Sequence, residues 1–425
     1  MRMNSKRVAA AGAAILSAAV GAALVQAPTA VAAPAPVSTS SAPSSARDVA
    51  AQAKAVLDRS VEFLKSQQKP DGGWQNEKDP PAATALVLKA IAGARPQDRD
   101  ADYLKKGYAK LLSYQLDNGG IYKDLLANYN TSIAVSALAA AENPEFKDRI
   151  DRAVAYLKGL QWTPQTRPEY AGNPKEQFTG KQLVKDDTDP FFGGTGYGGG
   201  RSTGNGRPDL SNTQLTLEAL KDAGLKADDP AFQNAVKFVT RVQNLSETND
   251  RPWAGDDGGF VYGPAENRMG ESMAGEYTSP DGKRLLRSYG SMTYAGLKSM
   301  IYAGLTHDDP RVKAAFRWVS KNWTLDENPG MRLNNPQAAQ FGLYYYFHTL
   351  ARALNAYDQP TITDAQGTQH DWRVELVNKL ASLQKPDGSF VGEKRFMEDN
   401  PVLVTSYVAI ALQETLEDLK QHPPK

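Results

Sequence analysis

The chain has 425 residues, of which 49 are Lys or Arg and 48 are Asp or Glu, so its formal net charge is +1. This balance gives no basis for binding nucleic acid through bulk positive charge. The sequence contains no cysteine, which excludes disulfides, thiolate zinc sites and thiol nucleophiles. Because its four histidines are not at ligand spacing, we expect no bound metal and no cofactor.

The N-terminus has the pattern of a secretory signal peptide over residues 1–32. A basic region over residues 2–7 precedes an apolar run over residues 8–25, and Ala30-Val31-Ala32 offers small residues for cleavage after Ala32. An uncleaved membrane anchor is the alternative, although the run is short for a full span. We therefore expect an exported protein, either periplasmic or extracellular.

The remainder is predicted to be one folded domain behind a tether. Residues 33–46 are rich in Pro, Ser and Ala, a composition typical of a disordered linker. Residues 47–420 are predicted to form a single domain in which one heptapeptide recurs. Its complete form is Gln68-Lys69-Pro70-Asp71-Gly72-Gly73-Trp74. Further copies begin at Gln115 and Gln384, and copies interrupted by insertions begin at Gln161 and Gln243.

The segments around each copy predict a pair of helices joined by the glycine turn. An amphipathic segment leads into each glutamine, and an apolar, alanine-rich segment follows the glycines. The outer helices are predicted over residues 49–68, 104–115, 150–161, 232–243, 311–323 and 372–384. The inner helices are predicted over residues 84–91, 131–141, 212–223, 291–303, 340–354 and 404–416.

Twelve such helices are enough to close a ring. The glutamine amide is expected to hydrogen-bond the turn backbone, where glycine supplies the positive φ. In the fifth unit Trp323 stands in place of the glutamine. The third, fourth and fifth units carry long insertions between their outer and inner helices, so we expect these insertions to lie over one mouth of the ring.

The spacing Gln-x-x-x-Gly-x-Trp, complete at Gln68, Gly72 and Trp74, resembles the repeat of the squalene–hopene cyclases and oxidosqualene cyclases. The helix pairs with Asp-Gly-Gly are also similar to the repeats of the protein prenyltransferase β-subunits. The resemblance covers about residues 47–417. It implies an all-α fold, an (α/α)6 toroid of six helical hairpins, with an apolar central cavity that holds an isoprenoid.

The resemblance extends only partly to the chemistry. The cyclases begin their reaction with Asp-x-Asp-Asp-Thr at the start of an inner helix, and the matching stretch here runs from Asp209 to Thr213. Ser211 stands at the place of the proton donor with Asn212 beside it, and neither can protonate an alkene. Any acid chemistry is therefore expected to depend on Asp209. The stretch also fits a helix N-cap with a capping box at Ser211. The zinc site of the prenyltransferases includes a cysteine, which is absent.

Other residues are candidates for the cavity or its rim. Aromatic residues near the predicted inner-helix starts favour a cavity able to face a carbocation, with core packing as the alternative. The candidate cavity and ligand residues are Ser211, Asn212, Thr213, Tyr197, Trp253, Tyr262, Tyr289, Tyr294, Tyr345 and His348. The six inner-helix N-termini predict a positive collar suited to a diphosphate head, unless their polar residues are ordinary caps.

Two loop segments have open interpretations. Asp186-Asp187-Thr188-Asp189 fits either an oxygen-ligand site for a divalent cation or a solvated turn. The glycine-rich stretch over residues 193–200 fits either a lid over the mouth or a linker.

Three functions are compatible with these patterns. The first is an exported terpenoid cyclase-like toroid that binds an isoprenoid or other apolar ligand, with terpenoid cyclisation as its reaction if it is an enzyme. The second is a non-catalytic lipid- or protein-binding module. The third is a carbohydrate-active (α/α)6 enzyme, which needs two carboxyl groups in one cleft, such as Asp209 and Asp257. Peripheral membrane contact is compatible with the first two. The sequence identifies no protein partner and no nucleic-acid ligand.

Overall fold

The computed structural model describes residues 46–76, 79–166, 184, 186–198, 207–264 and 271–423. The predicted signal peptide, its cleavage site, the linker up to residue 45 and Gly199-Gly200 of the glycine-rich stretch lie outside these residues. Within the described part of the chain, no helix combines the length and the apolar character that a membrane span requires.

Twelve α-helices of the described residues alternate between an outer and an inner ring, as the sequence predicts. The outer helices are α1 (Ala46–Ser66), α3 (Asp102–Leu112), α5 (Lys147–Gly159), α7 (Pro230–Thr240), α9 (Pro310–Lys321) and α11 (Trp372–Leu383). The inner helices are α2 (Ala82–Ala94), α4 (Ala127–Ala140), α6 (Leu210–Asp222), α8 (Gly290–Tyr302), α10 (Leu343–Tyr357) and α12 (Pro401–Gln421). Each inner helix packs on the next, and α12 packs on both α1 and α2, which closes the toroid.

The distribution of apolar residues around each helix explains whether it lies in the outer or the inner ring. In α9 the buried residues lie mainly along one stripe that includes Val312, Ala315 and Val319, while the opposite face is exposed to solvent. In α2 the buried residues include the consecutive run Ala85-Leu86-Val87-Leu88 and therefore cover every side. A helix that is apolar all round is stable only when neighbours enclose it, which is why α2 lies in the inner ring.

The repeated glutamine bridges neighbouring units. Gln68 Nε2 donates to the carbonyl of Gly72 in its own turn at 2.9 Å and to the carbonyl of Tyr103 in α3 at 2.7 Å. The same pair of bonds, to its own glycine turn and to the next outer helix or its start, is made by Gln115, Gln161, Gln243 and Gln384. The prediction for the glutamine is confirmed, and the bond from Gln384 to Val56 of α1 joins the two ends of the ring.

The glycine turn is also tied to its own inner helix. Trp74 N donates to Thr84 Oγ1 at 2.8 Å. Equivalent backbone donors bond Thr131, Thr213, Thr293 and Thr405. The approach at the turn is close: Gly72 has φ +88°, and a Cβ there would lie 2.6 Å from the carbonyl oxygen of Lys106. These threonines are therefore engaged in holding the turns.

The structure departs from the predicted elements in a few places. Two short antiparallel hairpins are present, Glu276–Thr278 with Arg284–Leu286 and Thr361–Thr363 with Gln369–Asp371. Short 3-10 helices cover Pro96–Asp98, Pro144–Phe146, Met331–Leu333, Pro336–Gln340 and Arg395–Met397.

All six inner helices begin one to four residues away from their predicted starts, and two of these differences have a local explanation. The helix α10 begins at Leu343, after residue 340, because Phe341 is extended and Gly342 has φ +66°. The helix α12 begins at Pro401, before residue 404, because Asn400 caps it and proline suits the first helical position.

A buried ion cluster joins five of the inner helices away from their N-termini. Glu218 of α6 lies at its centre and pairs with Lys89, Lys298 and Arg352. The surrounding carboxylates are Asp222 and Glu414. Burial opposes ionisation of Glu218, but the attraction of the three cations outweighs it and holds the pKa well below its ordinary value. Three cations and three carboxylates balance, as a buried cluster requires.

Candidate functional site: the central cavity

A cavity of about 480 Å³ lies at the end of the toroid where the inner helices begin. This volume falls within the range of about 300–1,000 Å³ found for small-molecule sites. The first two turns of the inner helices supply Ala82, Ala83, Tyr129, Ser211, Ser291, Met292, Tyr345, Leu403 and Tyr407. The connecting segments supply most of the remainder, including Lys123, Tyr197, Tyr262, Met273, Tyr289, Asn328, Met331, Phe341, Phe396 and Glu398. The insertions therefore contribute to one mouth, as predicted.

The lining is dominated by aromatic and methionine side chains. Its tyrosine hydroxyls pair with other hydroxyls of the wall: Tyr129 with Tyr407 at 3.1 Å, and Tyr345 with Ser211 at 3.1 Å. Burial raises the pKa of these tyrosines, so their rings remain neutral. The wall therefore offers uncharged, polarisable surface to whatever occupies the cavity.

One carboxyl group, Glu398, stands out on this wall. It is 1 % exposed, and its Oε1 accepts a hydrogen bond from the backbone N–H of Tyr345 at 2.9 Å. Its Oε2 is buried and has no hydrogen-bond partner among the described residues. Burial raises the pKa of Glu398 to about 8, although backbone N–H groups of Tyr345, Tyr344 and Leu343 act in the opposite direction. At neutral pH Glu398 is therefore mainly a carboxylic acid.

The backbone before Glu398 has an uncommon conformation. Phe396 and Met397 have φ +60° and +63°, in the left-handed region that non-glycine residues rarely adopt. Both line the cavity beside Glu398. Such strain tends to occur at functional sites. Sequence reasoning missed Glu398; the only local signal was its position just before Asn400-Pro401, which marks a helix start.

The predicted acid, Asp209, lies at the N-cap of α6 rather than on the described lining. Its two oxygens accept from Asn212 N at 2.8 Å and Asn212 Nδ2 at 2.7 Å. Burial raises the pKa of Asp209 to about 7, against these hydrogen bonds. The helix cap is thus Asp209, and the prediction of a cap at Ser211 is wrong; Ser211 lines the cavity. Thr213 bonds the turn at Thr195.

The other predicted residues divide between cavity and core. Tyr197, Tyr262, Tyr289 and Tyr345 line the cavity. Trp253, Tyr294 and His348 do not belong to its described lining. Trp253 donates to the carbonyl of Pro264, and Tyr294 packs edge-on against Tyr346 with ring centroids 5.6 Å apart.

His348 lines a second, much smaller cavity of about 10 Å³ beside Glu218. Neither ring nitrogen has a hydrogen-bond partner among the described residues. Burial lowers the pKa of His348 well below its ordinary value, so the ring is neutral. The space is about that of one water molecule.

The predicted collar of helix N-termini is not available to a ligand. The first N–H groups of most inner helices already donate to protein side chains. At α2, Ala82 N bonds Asn130; at α8, Ser291 N bonds Asn328; and at α10, Tyr345 N bonds Glu398. The helices α6 and α12 are capped by Asp209 and Asn400. The threonines near the predicted helix starts are not these caps, because they accept hydrogen bonds from the glycine turns.

The acidic loop, the glycine-rich stretch and the two carboxyl groups named for a carbohydrate site make local contacts in the structure. Asp186 accepts from Thr188 N at 2.9 Å, as in a turn. The glycine-rich stretch attaches to α4, where Asn128 N donates to the carbonyl of Tyr197 at 2.8 Å. Asp257 accepts from Gly259 N at 2.8 Å in its glycine turn and, like Asp209, does not belong to the described cavity lining. The two carboxyl groups named for a carbohydrate site therefore do not meet at this cavity.

Comparisons with known proteins agree on the fold. No family model matches the sequence, and no curated protein matches it. Among solved structures, the type II terpene cyclase MstE from Scytonema in complex with geranylgeranyl dihydroxybenzoate is similar, with TM-score 0.51, 14% identity and coverage of 88% of this chain and 99% of that one. MstE in complex with merosterolic acid A gives TM-score 0.52 at 14% identity and the same coverage.

A cellobiose 2-epimerase from Spirochaeta thermophila is similar to the same degree, with TM-score 0.53, 12% identity and coverage of 89% of this chain and 99% of that one. The chain therefore has the α/α toroid architecture found in type II terpene cyclases and in a carbohydrate epimerase. At these identities the likeness establishes the fold alone.

Proposed function

We propose that this protein binds a neutral isoprenoid chain in its central cavity, and that it does so as an exported protein. The observation that carries the proposal is the wall itself: a cavity of about 480 Å³ lined mainly by tyrosine, phenylalanine, methionine and leucine side chains. Burying an alkyl chain there gains about 25 cal/mol per Å² of apolar surface. The isoprenoid-derived ligands of MstE, which shares the architecture, support the same choice.

The charges of the lining favour a neutral ligand over a diphosphate. The described wall contains one cationic side chain, Lys123, against three carboxyl groups, Asp79, Asp124 and Glu398. Diphosphate sites rely on several cations, a metal ion or open helix N-termini. Since first-turn N–H groups of most inner helices already donate to protein side chains, an anionic head would meet carboxyl groups with little compensation.

Binding can be measured by isothermal titration of geranylgeraniol, geranylgeranyl diphosphate and cellobiose into the protein. Ala83→Trp places a large ring in the cavity, whereas Ala51→Trp adds the same ring to the exposed face of α1. We expect geranylgeraniol to bind wild type and Ala51→Trp, and to bind Ala83→Trp at least about tenfold more weakly. Circular dichroism of both variants checks that they are folded.

Two other binding results would favour a different ligand. Tighter binding of the diphosphate than of the alcohol would contradict the neutral ligand. Cellobiose binding that Ala83→Trp abolishes, without geranylgeraniol binding, would favour the carbohydrate-active alternative. Lipid extraction of the purified protein followed by mass spectrometry gives an independent view of the natural ligand.

A further inference from the structure

We infer that the start of α8 binds one neutral oxygen atom of the ligand, so that the chain held in the central cavity is an isoprenoid alcohol, aldehyde or ketone and not a hydrocarbon. The groups assigned to this oxygen are the hydroxyls of Tyr289 and Ser291, which both line the cavity. The inference rests on the proposed function, because it needs an isoprenoid in the cavity.

Tyr289 is the exception among the tyrosines of the wall. Five of the six tyrosine hydroxyls of the described lining are paired with another hydroxyl: Tyr129 with Tyr407 at 3.1 Å, Tyr262 with Tyr197 at 3.3 Å, and Tyr345 with Ser211 at 3.1 Å. The hydroxyl of Tyr289 has no hydrogen-bond partner among the described residues. Because most buried polar groups in folded proteins are paired, an unpaired one on a cavity wall indicates a ligand contact.

The hydroxyl of Tyr289 can be reached from the cavity. Tyr289 is only 3 % exposed, so little of its surface meets bulk water. Its hydroxyl interacts electrostatically with those of Tyr345 and Tyr197, which lie on the same wall. The hydroxyl of Tyr122 is also unpaired but is completely enclosed by protein, whereas that of Tyr289 keeps accessible surface. A ligand atom in the cavity can therefore form the missing hydrogen bond.

Ser291 supplies a second free proton, two residues further along α8. Its Oγ accepts a hydrogen bond from Asn328 Nδ2 at 3.2 Å, and its own proton has no acceptor among the described residues. The orientation of the Asn328 amide is fixed, because its Oδ1 accepts from Ser291 N at 2.9 Å and its Nδ2 also donates to the carbonyl of Phe341 at 3.2 Å. Ser291 is therefore the acceptor in its bond to Asn328 and is free to donate into the cavity.

Two hydroxyl protons without acceptors determine the kind of group that they bind. Burial raises the pKa of Tyr289 well above its ordinary value, so this side chain keeps its proton and can donate it. The Ser291 hydroxyl is likewise a donor. Their common partner is an acceptor such as a hydroxyl or carbonyl oxygen. The phenolic oxygen of Tyr289 can also accept, which allows an alcohol to donate in return.

The remaining polar groups of the wall are less suited to a buried ligand oxygen. Asp79 accepts hydrogen bonds from Asn76, and Lys123 and Asp124 are exposed to water. Glu398 Oε1 is bonded by a backbone N–H, and its Oε2 is completely enclosed. A hydrocarbon would displace water from the start of α8 and leave its two protons unpaired, which lowers affinity relative to a ligand that carries an oxygen.

The test compares geranylgeraniol with the tetraene hydrocarbon that lacks its hydroxyl group. Each ligand is equilibrated between detergent micelles and the protein, and the bound fraction is extracted and quantified by gas chromatography. Tyr289→Phe and Ser291→Ala should each weaken geranylgeraniol binding about threefold to tenfold and leave hydrocarbon binding unchanged or stronger. Tyr277→Phe removes a hydroxyl from an exposed hairpin and should change neither affinity.

Geranylgeranial tests the direction of the hydrogen bonds, because its carbonyl oxygen accepts and cannot donate. It should bind wild type and lose the same factor as the alcohol in Tyr289→Phe and Ser291→Ala. Binding of the alcohol without binding of the aldehyde would overturn the assignment of the two hydroxyls as donors.

The remaining outcomes distinguish this inference from the function on which it rests. Absence of isoprenoid binding by wild type would refute the proposed function. Binding of alcohol and hydrocarbon by wild type, with variants that weaken neither ligand or weaken both alike, would overturn the oxygen site alone. Circular dichroism checks that each variant is folded, and either single variant decides the result if the other fails to fold.

Discussion

The burial of Glu398 predicts a pH-dependent stability that needs no ligand to observe. Its pKa rises from an ordinary value of 4.5 in the unfolded chain to about 8 in the folded protein. A raised carboxyl pKa means that the folded state holds its proton more tightly, so this contribution to stability is complete below about pH 4.5 and is lost as pH rises through about 8.

The magnitude follows from the size of the rise. Each pKa unit corresponds to about 1.4 kcal/mol, so ionisation of Glu398 costs the fold on the order of 5 kcal/mol across the whole window. Glu398→Gln removes this term. Relative to wild type, the variant should therefore gain about 1.4 kcal/mol of unfolding free energy per pH unit within the window. Any pH-independent cost of the substitution shifts the difference without changing its slope.

Urea unfolding followed by far-ultraviolet circular dichroism, repeated from about pH 5 to about pH 8, measures the difference. Glu393→Gln, from the exposed part of the same loop, is the matched control and should show no slope. A flat difference between Glu398→Gln and wild type would refute the reasoning. It would mean that water reaches the carboxyl group freely and that Glu398 ionises in its ordinary range.

Three further predictions concern the fold and the N-terminus. Gly72→Ala should lower the unfolding free energy by more than about 3 kcal/mol in urea titration, because its Cβ meets a backbone carbonyl; Gly224→Ala, with φ +87° but open space around it, should cost about 1 kcal/mol. Glu218→Leu leaves three buried cations without their partner and should cost about 3–5 kcal/mol, whereas Asp58→Leu, from an exposed pair, should cost under about 1 kcal/mol by the same assay. N-terminal sequencing of extracytoplasmic protein should begin at or near Ala33, and recovery of the unprocessed chain in membranes would contradict export.

The fold could be predicted because its signals are local. In the uninterrupted copies at Gln68, Gln115 and Gln384 the glutamine and glycine positions lie within seven residues of one another, and the helices on either side carry their own apolar periodicity. Gln68, for example, bonds the carbonyl of Gly72 only four residues away. Element boundaries differ by a few residues, at α12 because the local cap Asn400 had been overlooked.

The site could be predicted only in part. Tyrosines next to a helix start, such as Tyr289 and Tyr345, could be placed near the mouth from sequence. Nothing in the sequence distinguished them from Tyr294, which belongs to the core, because the side of an enclosed helix that faces a cavity depends on how its neighbours are rotated.

By itself, the sequence determined a ring of twelve helices with insertions at one end, because these follow from short-range patterns. The tertiary structure alone decided the chemistry of the cavity. Glu398 meets Tyr345 across 53 residues of chain, and Lys89 meets Glu218 across 129. Whether a carboxyl group ionises depends on the water and charges around it, and at both sites distant segments supply that environment. Folding therefore leaves Glu398 protonated and Glu218 charged, although the two residues are chemically identical.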